Sequence, residues 1–255
     1  MNTSLLVRAD SVNDNILLKQ RTNGLTFGTD ALLLASYIEA ETGSNALELG
    51  AGTGVISLLL LKRKKALNIT ALEIQPEFAA ITKENAAANG LSDSLETICC
   101  DLRDYNCLSK YAYVFTNPPY MRCDSGKRNV YDEKNIARHE VMGTILDFCR
   151  CASRTLKFGG AFYAVYRPDR LVDLIAAMRE CKIEPKRITF VHADAKAPPS
   201  MLLVEGKRGA ASGLRVTPPL LIYTNEDHIT QTNDYEFILS TGIFPDKFRI
   251  LNAKK

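Results

Sequence analysis

The sequence predicts an α/β fold with a doubly wound, mostly parallel sheet. Three observations carry that prediction. Short apolar runs alternate with helical patterns through most of the chain. A glycine-rich turn joins the first of these runs to the helix after it, and acidic residues close three successive strands. Strands alternating with helices imply βαβ units and a parallel sheet. The last pair of runs has no helix between them, so one strand near the C-terminal edge is expected to run antiparallel.

The elements follow in order. The first 22 residues alternate weakly, and Asn23-Gly24 marks a tight turn because both residues tolerate positive φ. Thr29-Asp30 signals the start of an apolar helix over 31–38, closed by Gly43. Residues 46–49 form a short strand. Residues 55–65 read as a helix with a basic C-terminal end, which suits the helix dipole. A second strand covers 69–74, and Pro76 opens a helix running to Asn89-Gly90, a natural C-cap pair. Strands are expected at 95–100 and 111–116, then a loop, then a helix over 137–157 ending before Gly159-Gly160. A fifth strand at 161–166 precedes a helix opened by Pro168, and 188–192 and 201–205 form a terminal hairpin around Pro198-Pro199. Residues 1–30 are thus expected as a strand and turn leading into the core, 31–208 as the main domain, and 209–255 as a tail packed on it.

The composition excludes several classes. Hydrophobic residues make up 46% and charged residues 24% of 255, the mix of a globular chain and not of a disordered one. The longest apolar run, 55–61, is far below the roughly 18 residues a membrane span needs, and no signal peptide is visible. Seven cysteines, an odd number in a chain with a real core, suit reduced thiols and a cytoplasmic location. Their spacing makes no zinc pattern, so no metal is expected. Residues 1–110 carry 10 Lys and Arg against 13 Asp and Glu, whereas 111–255 carry 22 against 16. A polyanionic partner would prefer the second half, although chance unevenness of a surface explains the counts equally well.

The candidate chemistry begins at Glu48-Leu-Gly50-Ala-Gly52-Thr-Gly54. Glycines between a strand and a helix allow a tight turn and close approach of a ligand, and the helix N-terminus adds free N–H groups. Val55 stands where the dinucleotide pattern wants a third Gly or Ala, which weakens a pyrophosphate reading. Glu73 ends the second strand, where a carboxylate reaches a ribose diol, and Asp101 ends the third, within reach of an adenine amino group. Capping of the following helices is the plain reading of any one of these acids alone. After the fourth strand comes Asn117-Pro118-Pro119-Tyr120. The two prolines hold the chain stiff, so the Asn117 amide and the Pro118 carbonyl become aimed acceptors, and Tyr120 offers a face for stacking. A planar NH2 group is the natural guest. A rigid turn without chemistry is the competing reading.

These residues, in this order, resemble class I S-adenosylmethionine-dependent methyltransferases of the amino-methylating group that carries Asn-Pro-Pro-Tyr. Residues 24–35, Ala137-Arg-His-Glu140 and 197–208 make the bacterial tRNA1(Val) adenine N6-methyltransferases the nearest likeness within it. The likeness spans about residues 16–208 and implies a Rossmann-like sheet. It implies S-adenosyl-L-methionine as cofactor, bound by Phe27, Thr29, Asp30, Glu48, Gly50, Gly52, Gly54, Glu73, Ile74, Asp101, Leu102 and Asn117. Catalysis would fall to Asn117, Pro118, Pro119 and Tyr120, and the substrate would be an adenine amine in tRNA, with no obligatory protein partner. Arg122, Lys127, Arg128, Arg138, His139, Lys207 and Arg208 are candidate RNA contacts; solvated surface charge is the alternative for each. A glutamine side chain in a protein such as a release factor, and a base in rRNA, present a similar NH2 and stay open. So do a nicotinamide-linked oxidoreductase and a silent adaptor.

Overall fold

A computed structural model describes residues 7–12, 16–21, 28–63, 68–118 and 143–250. Two hairpin strands come first, β1 (Val7–Val12) and β2 (Ile16–Arg21), paired antiparallel. Then follow α1 (Thr29–Tyr37), β3 (Asn45–Leu49), α2 (Val55–Lys62), β4 (Asn68–Glu73), α3 (Pro76–Ala88), β5 (Leu95–Cys99) and β6 (Tyr111–Thr116). The second half holds α4 (Ile145–Thr155), β7 (Leu156–Tyr166), α5 (Leu171–Glu180), β8 (Ile183–His192) and β9 (Pro199–Arg208). Two-residue strands β10 (Arg215–Val216) and β11 (Leu220–Leu221) and helix α6 (Asn233–Thr241) complete the described chain.

The main sheet has nine strands, in the order β10-β8-β9-β7-β6-β3-β4-β5, with β11 also against β8. Strands β3 to β7 are mutually parallel where they pair, and β9 runs antiparallel to both β7 and β8. The expected doubly wound, mostly parallel sheet and its antiparallel strand are therefore present. Each central strand is apolar on both faces. Ala46, Ala71, Phe115 and Tyr163 lie in one core with α1 and α2, whereas Leu47, Leu72, Val114 and Phe162 lie in a second core with α4 and α5. That period of two, buried on both sides, is what a sheet between two helical layers demands. Among the described residues no helix is long and apolar enough to cross a membrane.

Four boundaries differ from expectation. Helix α1 ends at Tyr37, one residue short of 38 and well before Gly43, because Ile38 is extended and the Tyr37 carbonyl accepts from Arg187 Nη2 at 3.0 Å. Helix α2 ends at Lys62, short of 65. Helix α4 starts at Ile145 behind a Thr144–Asp147 capping box and ends at Thr155; residues 137–142 lie outside the described ones. Strand β7 starts at once and runs through Gly159-Gly160, where a helix end was expected. A Cβ on Gly160 would lie 2.9 Å from the Lys157 carbonyl oxygen and 3.0 Å from that of Ala112, so glycine here permits a bulge in a strand.

Residues 215–248 pack on the main sheet, with Tyr235, Ile238, Phe244 and Phe248 in the first core. Arg187, fully buried, anchors them. Its guanidinium meets Glu39 at 2.6 Å and Glu205 at 2.8 Å, donates to the Phe248 carbonyl at 2.9 Å and lies 3.9 Å from the Tyr37 ring centroid. The hairpin is docked by asparagines of α3: Asn85 and Asn89 exchange amide hydrogen bonds with the backbone of Lys19 and Leu17.

Candidate active site

The parallel register brings the candidate residues to one edge of the sheet. Leu49 pairs with Leu72 and with Thr116, and Glu73 pairs with Cys99. Asn117, Gly50, Glu73 and Asp101 therefore follow one another across the carboxyl ends of β6, β3, β4 and β5, at strand spacings of about 4.8 Å. Thr116 Oγ1 donates to the Leu49 carbonyl at 2.8 Å and locks the ends of β6 and β3 together.

The glycine turn has the conformation its sequence asks for. Gly50, Gly52 and Gly54 have φ of +70°, +57° and +77°, in the left-handed region. A Cβ on Gly54 would lie 2.7 Å from Thr82 Cγ2, whereas one on Gly52 would meet nothing within 4 Å. The turn is thus packed tightly from behind and open in front. Thr82 Oγ1 donates to the Gly52 carbonyl at 2.9 Å and Asn85 Nδ2 to that of Thr53 at 2.9 Å, so α3 grips the turn as well as the hairpin.

The three acids take different environments. Glu73, 3% exposed, accepts from Gly52 N at 2.8 Å and from Gln75 N at 2.9 Å. One lone pair on each oxygen stays available for hydroxyl donors. Asp101 is gripped by Arg103, whose Nε lies 3.0 and 2.9 Å from its two oxygens; these bonds hold the Asp101 carboxyl below its ordinary range. Glu48, 1% exposed, lies beneath the turn and accepts from Ser57 Oγ. Burial raises its carboxyl to about 8, against the smaller opposing effect of Ser57. Glu48 thus supports the turn from inside the fold.

Asn117 donates through Nδ2 to Asp30 Oδ2 at 2.8 Å. Its Oδ1 is buried and has no partner among the described residues. Pro118 beside it is buried. Thr29 is the first residue of α1, directly after Gly28. Leu102 is 7% exposed, and Arg154 fixes its loop by donating to the carbonyls of Tyr105 at 2.8 Å and Arg103 at 3.0 Å. Ile74 is half-buried beside Cys99. Phe27, Pro119, Tyr120, Arg122, Lys127, Arg128, Arg138 and His139 lie outside the described residues.

Lys207 and Arg208, expected as RNA contacts, fall at the other edge of the sheet. Leu202 pairs with Tyr166 at the carboxyl edge, but Lys207 pairs with Ala161. Five residues at about 3.4 Å rise place Lys207 about 17 Å away from that edge. The antiparallel course of β9 is the cause. Arg208 is engaged besides, donating to the Leu156 carbonyl and, at 3.1 Å, to Ser109 Oγ.

Sequence reasoning missed Ser57, Thr82, Asn85, Arg103 and Arg154. They act on neighbours brought close by the fold and carry no motif of their own, except that Ser57 follows the glycine turn by three residues.

Residues 22–170 match the family Methyltransferase small domain. The chain belongs to that family. It is a methyltransferase, and among its curated relatives is a tRNA1(Val) (adenine(37)-N6)-methyltransferase of Aliivibrio salmonicida. That relative is 30% identical over 182 residues, 71% of this chain and 77% of the relative. A relative of the same name from Dyadobacter fermentans is 27% identical and covers 83% of this chain and 87% of its own. The fold also matches a predicted O-methyltransferase from Agrobacterium tumefaciens, with a TM-score of 0.68 at 22% identity, covering 84% of this chain and 96% of that one. The site's residues fit S-adenosyl-L-methionine as methyl donor. An open left-handed glycine turn can take the close approach of a ligand, and Glu73 and Asp101 offer acceptors for hydroxyl and amino groups.

Proposed function

We propose that this methyltransferase moves a methyl group from S-adenosyl-L-methionine to the exocyclic amine of an adenine in tRNA, in the cytoplasm. The observation that carries the reading is the buried Asn117 Oδ1, next to the glycine turn and without a partner among the described residues. A buried acceptor without a partner is costly, and it has a use only when a donor arrives. The names of the curated relatives favour adenine in tRNA as the source of that donor.

The donor supplies an electrophilic methyl on a sulfonium. This chain's residues do the rest. The glycine turn, Glu73 and Asp101 hold the donor. Asn117 Oδ1 and the Pro118 carbonyl accept the two N–H bonds of the amine, which turns the nitrogen lone pair away from the ring and toward the methyl. The donor would supply the methyl carbon to that lone pair, and the proton the amine sheds would pass to water. Positioning and fixed acceptors provide the rate, with no strong base required. Tyr120 stacks on an unpaired or flipped base. Arg122, Lys127, Arg128, Arg138 and His139 contact the RNA backbone.

The test is transfer of labelled methyl from the donor to total tRNA and to total protein. Label in tRNA as N6-methyladenine is expected, and label in protein alone would overturn the reading in favour of a glutamine side chain. Asn117→Ala should lower kcat about 100- to 1000-fold, the scale for losing one aimed polar contact in a transition state.

A further inference from the structure

The two ends of the Asn117 amide are treated differently. Nδ2 is bonded to Asp30 Oδ2 at 2.8 Å, and Oδ1 is buried with no partner among the described residues. A primary amide has a donor end and an acceptor end of nearly the same shape. Rotation by half a turn would present NH2 to the incoming amine, donor against donor, and the site would not work. Something must therefore select one orientation.

Asp30 makes the selection. An ionised carboxylate only accepts, so the end of Asn117 that faces it must be the nitrogen. Asp30 is itself held. Its Oδ1 accepts from Ala31 N at 2.9 Å, in the first turn of α1, where the helix dipole favours negative charge. Gly28 clears the way: a Cβ there would lie 2.6 Å from Asp30 Oδ1.

We propose that Asp30 is a positioning residue which, through the Asp30–Asn117 bond, fixes the amide so that Oδ1 is the atom offered to the substrate amine. This rests on the function proposed above.

The chemistry dictates the test. In Asp30→Asn, the new amide oxygen takes Ala31 N and its nitrogen faces Asn117, which must then turn its oxygen inward. In the swap Asp30→Asn with Asn117→Asp, the new amide at position 30 donates to one oxygen of the new carboxylate at 117, and the other oxygen faces the substrate. D30N should lower kcat for tRNA methylation at saturating donor about 10- to 100-fold, with the Kd for S-adenosylhomocysteine within about twofold. The swap should recover at least about tenfold over D30N, which a merely structural role would not produce.

Three results would overturn the proposal. They are D30N retaining kcat, D30N losing product affinity as steeply as kcat, or a folded swap no better than D30N. A measurement without substrate separates this from failure of the functional reading. In nitrogen-labelled protein, one Asn117 side-chain amide proton should exchange slowly in wild type and fast in Asp30→Ala. Equal rates would sink the positioning role even in a protein that methylates tRNA, and slow exchange in a protein that methylates none would uphold the bond while ending the substrate reading.

Discussion

Glu48→Gln tests whether the glycine turn rests on a neutral carboxyl. Glu48 is 1% exposed, and burial lifts it from an ordinary 4.5 to about 8. The native state therefore keeps a proton that the unfolded chain has lost anywhere between those two values. Unfolding then releases a proton, and stability falls as pH rises through that window. The slope approaches about 1.4 kcal/mol per pH unit, so about 3 kcal/mol should be lost between about pH 5 and 7.5. Gln keeps the shape and an acceptor for Ser57 Oγ but cannot titrate. Urea unfolding of both proteins across this range gives the difference in unfolding free energy at each pH, in which all other titrating groups cancel. The wild type should lose about 3 kcal/mol relative to Glu48→Gln as pH rises. A flat difference, or one of opposite sign, would show that Glu48 is ionised in the native fold and that the argument from burial is wrong.

Two further outcomes follow from packing. Arg187→Ala leaves Glu205, 5% exposed, without its cation, and should cost about 3–5 kcal/mol by denaturant unfolding; a cost below about 1 kcal/mol would refute the anchor. Gly54→Ala forces a Cβ onto a φ of +77° and to within 2.7 Å of Thr82 Cγ2. It should cost about 1–2 kcal/mol and weaken binding of S-adenosylhomocysteine by calorimetry, and unchanged values would show that the turn tolerates a side chain.

The central sheet was legible because its evidence is local. Runs such as 46–49 and 111–116 carry apolar residues on both faces, and glycines at 50, 52 and 54 are needed for left-handed conformations at three alternate positions. Helix ends were less legible, since α1 stops where Arg187 caps the Tyr37 carbonyl from 150 positions away. The site showed the same divide. The candidate residues at strand ends could be read from their spacing, but the bond between Asn117 and Asp30 spans 87 positions and neither residue announces it. Lys207 and Arg208 looked suitable by charge alone; strand direction, which charge does not report, carries them to the far edge.

The family match stops at residue 170, yet the polypeptide beyond it is tied to α1. Tyr235 and Ile238 share a core with that helix, and Arg187 donates both to the Phe248 carbonyl and to the Tyr37 carbonyl at the helix end. Asp30 lies in the first turn of the same helix. The C-terminal region therefore works as a buttress for an element far upstream of it, and trimming it to obtain a minimal enzyme would loosen α1 and whatever α1 holds.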